Sequence, residues 1–235
     1  MNFQRARTED QRNQRRRIIL GTAATMLAEM TVADLSLNEL SRRVGLAKSN
    51  VLRYFESREA VLFELLNTQF HMWAEALDLP SGPDLPLIKR ASAIGSEIAG
   101  TLARRPVLCD LMSAQAAVLE RNVSRPVALQ HKRTINVTVD LLIERLAEHL
   151  PELDRDDMYQ LIASTILMAS AAWPRSQPTE ALLAAYAEDA AVGAHRLNFE
   201  EHVRDTVVLT ILGLDARRAG TAQRSDTHAD AAFSN

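Results

Sequence analysis

One cysteine, Cys109, is the whole thiol inventory of this 235-residue chain, so no internal disulfide framework can staple it. A reducing compartment suits it. No run of 18 apolar residues occurs, Met1–Arg17 is polar throughout and Ile18–Leu20 is too short to serve as a signal core, so neither a membrane span nor a leader is expected. The expected protein is soluble and cytoplasmic. Glycine and proline number only eight each, and no stretch alternates β-branched with polar residues, which disfavours strands and leaves helices. Catalytic signatures are missing as well: there is no nucleophile elbow, phosphate loop, Cys-x-x-Cys or His-Glu-x-x-His. His71, His131, His149, His195, His202 and His228 never fall at i, i+3 or i+4 from one another. No enzyme activity, metal or cofactor is therefore expected. Cys109, set among Val107, Leu108 and Leu111, suits inert core better than redox sensing.

The charge that is present is segregated. Residues 1–60 hold eleven Lys/Arg against seven Asp/Glu, while the remainder holds sixteen against twenty-three, within a net charge of −3. A basic head on an acidic body is the pattern of a nucleic-acid binder. Arg5, Arg7, Arg12 and Arg15 to Arg17 are placed to track phosphates or a neighbouring minor groove, adding affinity that salt weakens.

Within the head, residues 36–58 read as two short helices joined at a glycine. Ser36 followed by Glu39 forms a capping box, so a helix should begin at Leu37. Leu37, Leu40 and Val44 share one face, and Asn38, Arg42 and Arg43 point elsewhere. Gly45 can take the left-handed conformation that ends the helix, with Leu46 wedged behind it. A second helix from Ala47 or Lys48 to Tyr54 turns Val51 and Phe55 inward. Lys48, Ser49, Asn50, Leu52, Arg53 and Tyr54 stay outside or at the rim, side chains suited to phosphates and base edges. Ser57 caps the next helix, with Arg58 in its first turn.

Residues 16–65 resemble the N-terminal DNA-binding domain of the TetR (tetracycline-repressor) family in the register from Ser36 to Leu62. The family's Val-Ser after the turn glycine is Leu46-Ala47 here, so the usual hydroxyl cap is missing. Leu52 replaces a phenol that often touches the DNA backbone, Tyr54 keeps its place, and Thr31 stands where glycine is common. The resemblance implies an all-α protein: an N-terminal three-helix helix-turn-helix domain and a C-terminal helical domain for ligand binding and dimerisation. Lys48, Asn50, Arg53 and Tyr54 would face the major groove of a double-stranded operator, with Ser36, Ser49 and Arg58 nearer the backbone.

The body extends the reading. A first helix is expected over about Gln14–Met30, after a frayed arm, with Ile19, Ala23, Met26, Leu27 and Met30 inward. A fourth, about Arg58–Leu77, would link head to body before Pro80-Ser81-Gly82-Pro83 stops it. Further helices are expected over about 86–104, from Pro106, from Pro126 to His149 and from Thr179 to about Asp189, with Pro174 to Pro178 breaking the chain. Asp154–Trp173 and Phe199–Ala216 are apolar on most sides and match the helices through which the family forms its four-helix homodimer; as lone core helices they would look the same. Phe70, Trp73, Met112, Tyr159 and Trp173 are aromatic and thioether side chains of the kind that line an adaptable pocket, and they suit ordinary core equally. The domains expected are 1–60 for DNA, 61–217 for effector and dimer, and a disordered tail over 218–235. The reading is a repressor released from a palindromic operator by a small apolar or amphipathic effector. A helical carrier with a vestigial DNA head is the alternative, separated from it by a salt-dependent shift of promoter DNA.

Overall fold

A computed structural model of the chain describes residues 2–79 and 85–232, with the side chains of 2–8, 118, 122 and 221–232 outside the description. The stop expected at Pro80–Pro83 and the side chains of Arg5 and Arg7 lie outside it. All regular structure among the described residues is helical. In order these are α1 (Asn2–Leu27), α2 (Leu37–Val44), α3 (Lys48–Val51), α4 (Arg58–Ala76), α5 (Leu87–Ala103), α6 (Pro106–Ala114), α7 (Arg125–Ala147), α8 (Arg155–Ser176), α9 (Glu180–Glu188), α10 (Ala190–Gly193) and α11 (Phe199–Ala232). Between α6 and α7 the chain makes a π-helical turn, Gln115–Leu119, then a 3-10 turn, Glu120–Asn122.

Most expected helices are found, with three differences. Helix α1 starts at Asn2, through residues expected as a frayed arm, because Arg, Gln and Glu there are good helix formers and no glycine or proline intervenes. Helix α8 runs through Pro174 to Ser176, where a break was expected. Pro174 forfeits the single backbone bond its N–H would give the Ser170 carbonyl, and the Arg175 side chain donates to the next carbonyl, Ala171, at 2.7 Å. Helix α11 continues to Ala232, past the Ala216 end expected, through a segment rich in alanine and arginine.

The chain divides into two compact units, one made of the residues up to Glu75 and Arg104–Thr138, the other of Ala76–Ala103 and everything from Val139 on. In the first, Ile19, Ala23, Met26, Leu40, Val51, Phe55, Leu62 and Phe63 are buried. His131 on α7 is buried with them and its ring lies tilted against Phe63, centroids 4.2 Å apart. Its Nδ1 lies 2.7 Å from Asn67 Oδ1 and its Nε2 lies 3.3 Å from Gln115 Nε2. The tautomer this network dictates has Nδ1–H donating to Asn67 while Nε2 accepts from Gln115. Gln115 also donates to Glu120, which accepts from Lys132. Burial, and then the Lys132 charge, push His131 down to about 4. Cys109 in α6 is buried, which raises its thiol to about 12 and leaves it protonated and inert.

In the second unit α11 lies against α5 and α8. Gly95 on α5 permits the first contact: a Cβ there would meet the Arg204 carbonyl at 2.9 Å. The second is tied by charge at one end. Arg217 and Arg218 on α11 donate to Asp157 on α8 at 2.7 and 2.8 Å, and Arg218 also reaches Asp154, the N-cap of α8. Burial raises the Asp157 carboxyl, but the two arginines and a capping bond outweigh it and hold it below the ordinary aspartate range. Arg90, also buried, donates to the carbonyls of Leu85 and His149 and pairs with Glu152. Helices α9 and α10 bury no residue within their own chain.

The His131 network makes stability depend on pH. The folded value sits below the ordinary 6.5, so its contribution is fully present above about pH 6.5 and is lost as pH falls towards about 4. Urea titrations should show the midpoint falling across that window in the native protein and falling less in His131→Gln. Equal slopes in the two proteins would remove His131 as the cause.

Candidate nucleic-acid interface

The reading surface is built by a turn. Ser36 accepts from the amide of Glu39 at 3.2 Å and starts α2. The reciprocal half of the expected capping box does not form, because Glu39 is drawn to Arg42 and Arg43 and its carboxyl falls to about 2 under their hydrogen bonds. At the other end Gly45 has φ 72° and ψ 30°, and Leu46 donates to the Ser41 carbonyl at 3.0 Å. A β-carbon would be strained in that left-handed conformation. Helix α3 then begins at Lys48 behind Ala47, which makes no side-chain cap. Its backbone bonds continue as tight turns to Phe55, whose amide donates to the Val51 carbonyl at 3.1 Å.

Val51 and Phe55 point inward, as their spacing requires. Lys48, Ser49, Asn50 and Arg53 are exposed and Tyr54 is half-buried. These five therefore stand on one outward surface. Helix α1 extends it. Gln11, Arg12, Gln14, Arg15 and Ile18 line one recess with Arg53 and Tyr54, about 770 Å³ in volume and holding three guanidinium groups. Sequence reasoning placed Arg12 and Arg15 near phosphates without linking them to Arg53. The spacing of 11, 14, 15 and 18 places those α1 residues on one face, and only the fold brings that face to Arg53.

Two other basic residues turn inward. Arg16, read with its neighbours as a phosphate tracker, donates to the Tyr54 carbonyl, pairs with Glu64 on α4 and lies 4.4 Å from the centre of the Phe55 ring. Arg58, placed near the DNA backbone by the sequence, donates to the carbonyls of Ala33 and Leu35 at 3.3 and 3.1 Å and pairs with Glu59. Its guanidinium holds the loop that leads into Ser36. Among the described residues no group of three or more His, Cys, Asp or Glu is placed to hold a metal ion.

The residues named for a ligand pocket divide between the two units, Phe70, Trp73 and Met112 in the first and Tyr159 and Trp173 in the second. Phe70 and Trp73 are buried and stacked on each other at 5.5 Å, and Met112 is buried. Trp173 meets Phe199 edge-on at 5.1 Å, and Tyr159 is 59% exposed. Trp173 and Phe199 line a recess of about 530 Å³ in the second unit.

Comparison with known proteins adds a match independent of the head. A family described as the tetracyclin repressor-like C-terminal domain matches residues 67–218. The chain belongs to the TetR family. The resemblance carried by residues 16–65 and this match to the body thus meet end to end. TetR-family structures are similar in fold. A regulator from Streptomyces coelicolor shares 14% identity at a TM-score of 0.53, over 88% of this chain and 83% of that one. One from Rhodococcus sp. RHA1 shares 14% at 0.54, over 86% and 97%. The fatty acid degradation regulator FadR from Bacillus halodurans shares 15% at 0.53, over 84% and 98%. No curated protein sequence matches. No helix of the described residues is long and apolar enough to cross a membrane. A TetR-family regulator fold is what these matches establish.

The inward arginine and the outward lysine should separate cleanly in stability. Arg58→Ala should lower the unfolding free energy by about 1–2 kcal/mol through its lost carbonyl bonds. Lys48→Ala should stay within about 0.5 kcal/mol of the parent. Equal unfolding curves for the two variants would show that Arg58 holds nothing.

Proposed function

We propose that the protein is a homodimeric repressor that reads a near-palindromic operator through α3 and is released by a small effector. The observation that carries the reading is the shared outward surface of Lys48, Asn50, Arg53 and Tyr54, bordered by Arg12 and Arg15 of α1. Four side chains on little more than one helical turn can reach only a few base edges, each worth about 1–3 kcal/mol of discrimination. Two copies of the surface, about 34–36 Å apart, would double that. Ser49 and the Arg12–Arg15 edge would take phosphates, whereas Ser36 caps α2 and Arg58 positions it. Residues 1–60 would thus serve DNA and 61–217 the effector and the partner copy.

The second unit supports the two copies. Tyr159 and Leu167 on α8 are 59% and 71% exposed, and Leu209 on α11 is 70% exposed. Ala163 and Ala171 continue the α8 stripe at i+4 spacing, and Gly213 follows Leu209 with open space where a Cβ would stand. Large apolar groups alternating with small ones form the ridges and grooves by which helices pack. In this reading Tyr159 belongs to the dimer face and not to a pocket.

Lys48→Ala combined with Tyr54→Ala should abolish gel retardation of operator DNA selected from genomic fragments, with folding and dimerisation intact. Retention of binding by that double variant would sink the assignment. Leu167→Glu with Leu209→Glu should yield a folded monomer at micromolar concentration in sedimentation experiments. A dimer that survives both charges would place the interface elsewhere.

A further inference from the structure

A cleft that the regulator reading leaves unused runs along the first unit. It lies between the outward faces of α4 and α7 and has a volume of about 710 Å³. That is within the range of small-molecule sites, about 300–1,000 Å³. Phe63, Asn67 and His71 contribute from α4, and His131, Thr134 and Thr138 from α7. The first set recurs at four-residue spacing and the second at three and four, so each helix turns one stripe into the cleft. Two side-chain bonds cross its floor: His131 with Asn67, and His71 Nδ1 with Thr138 Oγ1 at 3.3 Å. Val127, Val137 and Met72 add apolar wall.

At one end the cleft reaches the close of the recognition segment, where Tyr54, Phe55 and Glu56 line it together with Arg16 and Glu64. The Arg16 guanidinium lies there over the Phe55 ring, paired with Glu64 and bonded to the Tyr54 carbonyl. An aromatic face, a carboxylate and a carbonyl oxygen converge on one cation. This is a cation subsite occupied by the protein's own side chain.

We propose that this cleft binds a monocationic amphiphile, whose head displaces the Arg16 guanidinium from Phe55 and Glu64 while its tail lies along Phe63 and the α7 wall. Charge selects the class. Arg16 is already paired, and Glu56 and Glu64 both line the cleft, so an anionic head would meet two carboxylates against one engaged guanidinium. Displacing Arg16 would cut the bond to the Tyr54 carbonyl and loosen the end of the reading segment. Ligand and operator would then compete, and by linkage each weakens the other by the same factor. The inference rests on the regulator reading for its effect on DNA, but not for binding.

Calorimetry on the full-length protein tests it, with decyltrimethylammonium and decanoate as probes below their aggregation concentrations. The cation should bind at least about tenfold more tightly than the anion, and Glu64→Gln should weaken it about tenfold. Arg16→Ala should bind it several-fold more tightly, because the internal competitor is gone; a purely structural Arg16 would not do this. Thr134→Trp, which fills the cleft from a half-buried position, should lose cation binding yet retard operator DNA as the parent does. Equal binding of the two probes, an unchanged Thr134→Trp, or no gain in Arg16→Ala would overturn the proposal. If Arg16→Ala or Glu64→Gln fails to fold, the probe pair and Thr134→Trp decide. Cation binding without any operator retardation in the parent would uphold the cleft and count against the repressor reading.

Discussion

A helix of four residues, Lys48–Val51, has no stability of its own. Helix nucleation is unfavourable, and isolated segments below about 12 residues are marginal even with the best formers. Here the N-cap is alanine, which forgoes about 1 kcal/mol that a hydroxyl would supply. Tertiary contact must hold what local propensity cannot. Burial of Val51 and Phe55 contributes about 1.5–3 kcal/mol for each side chain. The left-handed turn at Gly45 fixes the direction from which the segment leaves α2. Arg16 closes the far end through Phe55 and the Tyr54 carbonyl.

That dependence explains why the basic residues of the head divide into two kinds. In the run Arg15-Arg16-Arg17 each residue rotates by about 100° around the helix. Arg15 faces the recess shared with Arg53, whereas Arg16 faces Phe55 and Glu64. Adjacent arginines thus face outward and inward respectively. Arg58 is likewise consumed by the carbonyls of Ala33 and Leu35. The net positive charge of the head overstates the charge that faces outward, so few cations must be well placed.

The helix-turn-helix was legible because its determinants are local. A capping serine, a glycine at positive φ and a three-to-four-residue apolar period each act within a few residues. Helix ends were less legible. Pro174 reads as a stop in sequence, but α8 carries through it by two more residues, Arg175 and Ser176, before it ends. The partners of Arg58 and Arg16 were not legible because a guanidinium's partner is chosen by tertiary proximity: Arg58 bonds residues 23 and 25 positions away, and Arg16 pairs with one 48 positions away. No local rule can choose between that carbonyl and a phosphate.

Aromatic and sulfur side chains are densest at Phe70, Met72 and Trp73, and there is a physical reason why density of that kind packs into core. Apolar density drives burial, and burial proceeds until space is filled to the density of an organic crystal. Phe70 and Trp73 therefore fill core by stacking on each other. A cavity persists where filling is opposed, by polar groups that hold two helices apart at a fixed distance. The cleft between α4 and α7 has that character: His131, Asn67, His71 and Thr138 bridge its floor and keep the helices from closing. The same four residues are unremarkable in sequence, two lone histidines and two small amides or hydroxyls. Only their pairing across helices, 64 and 67 residues apart in the chain, makes them a site.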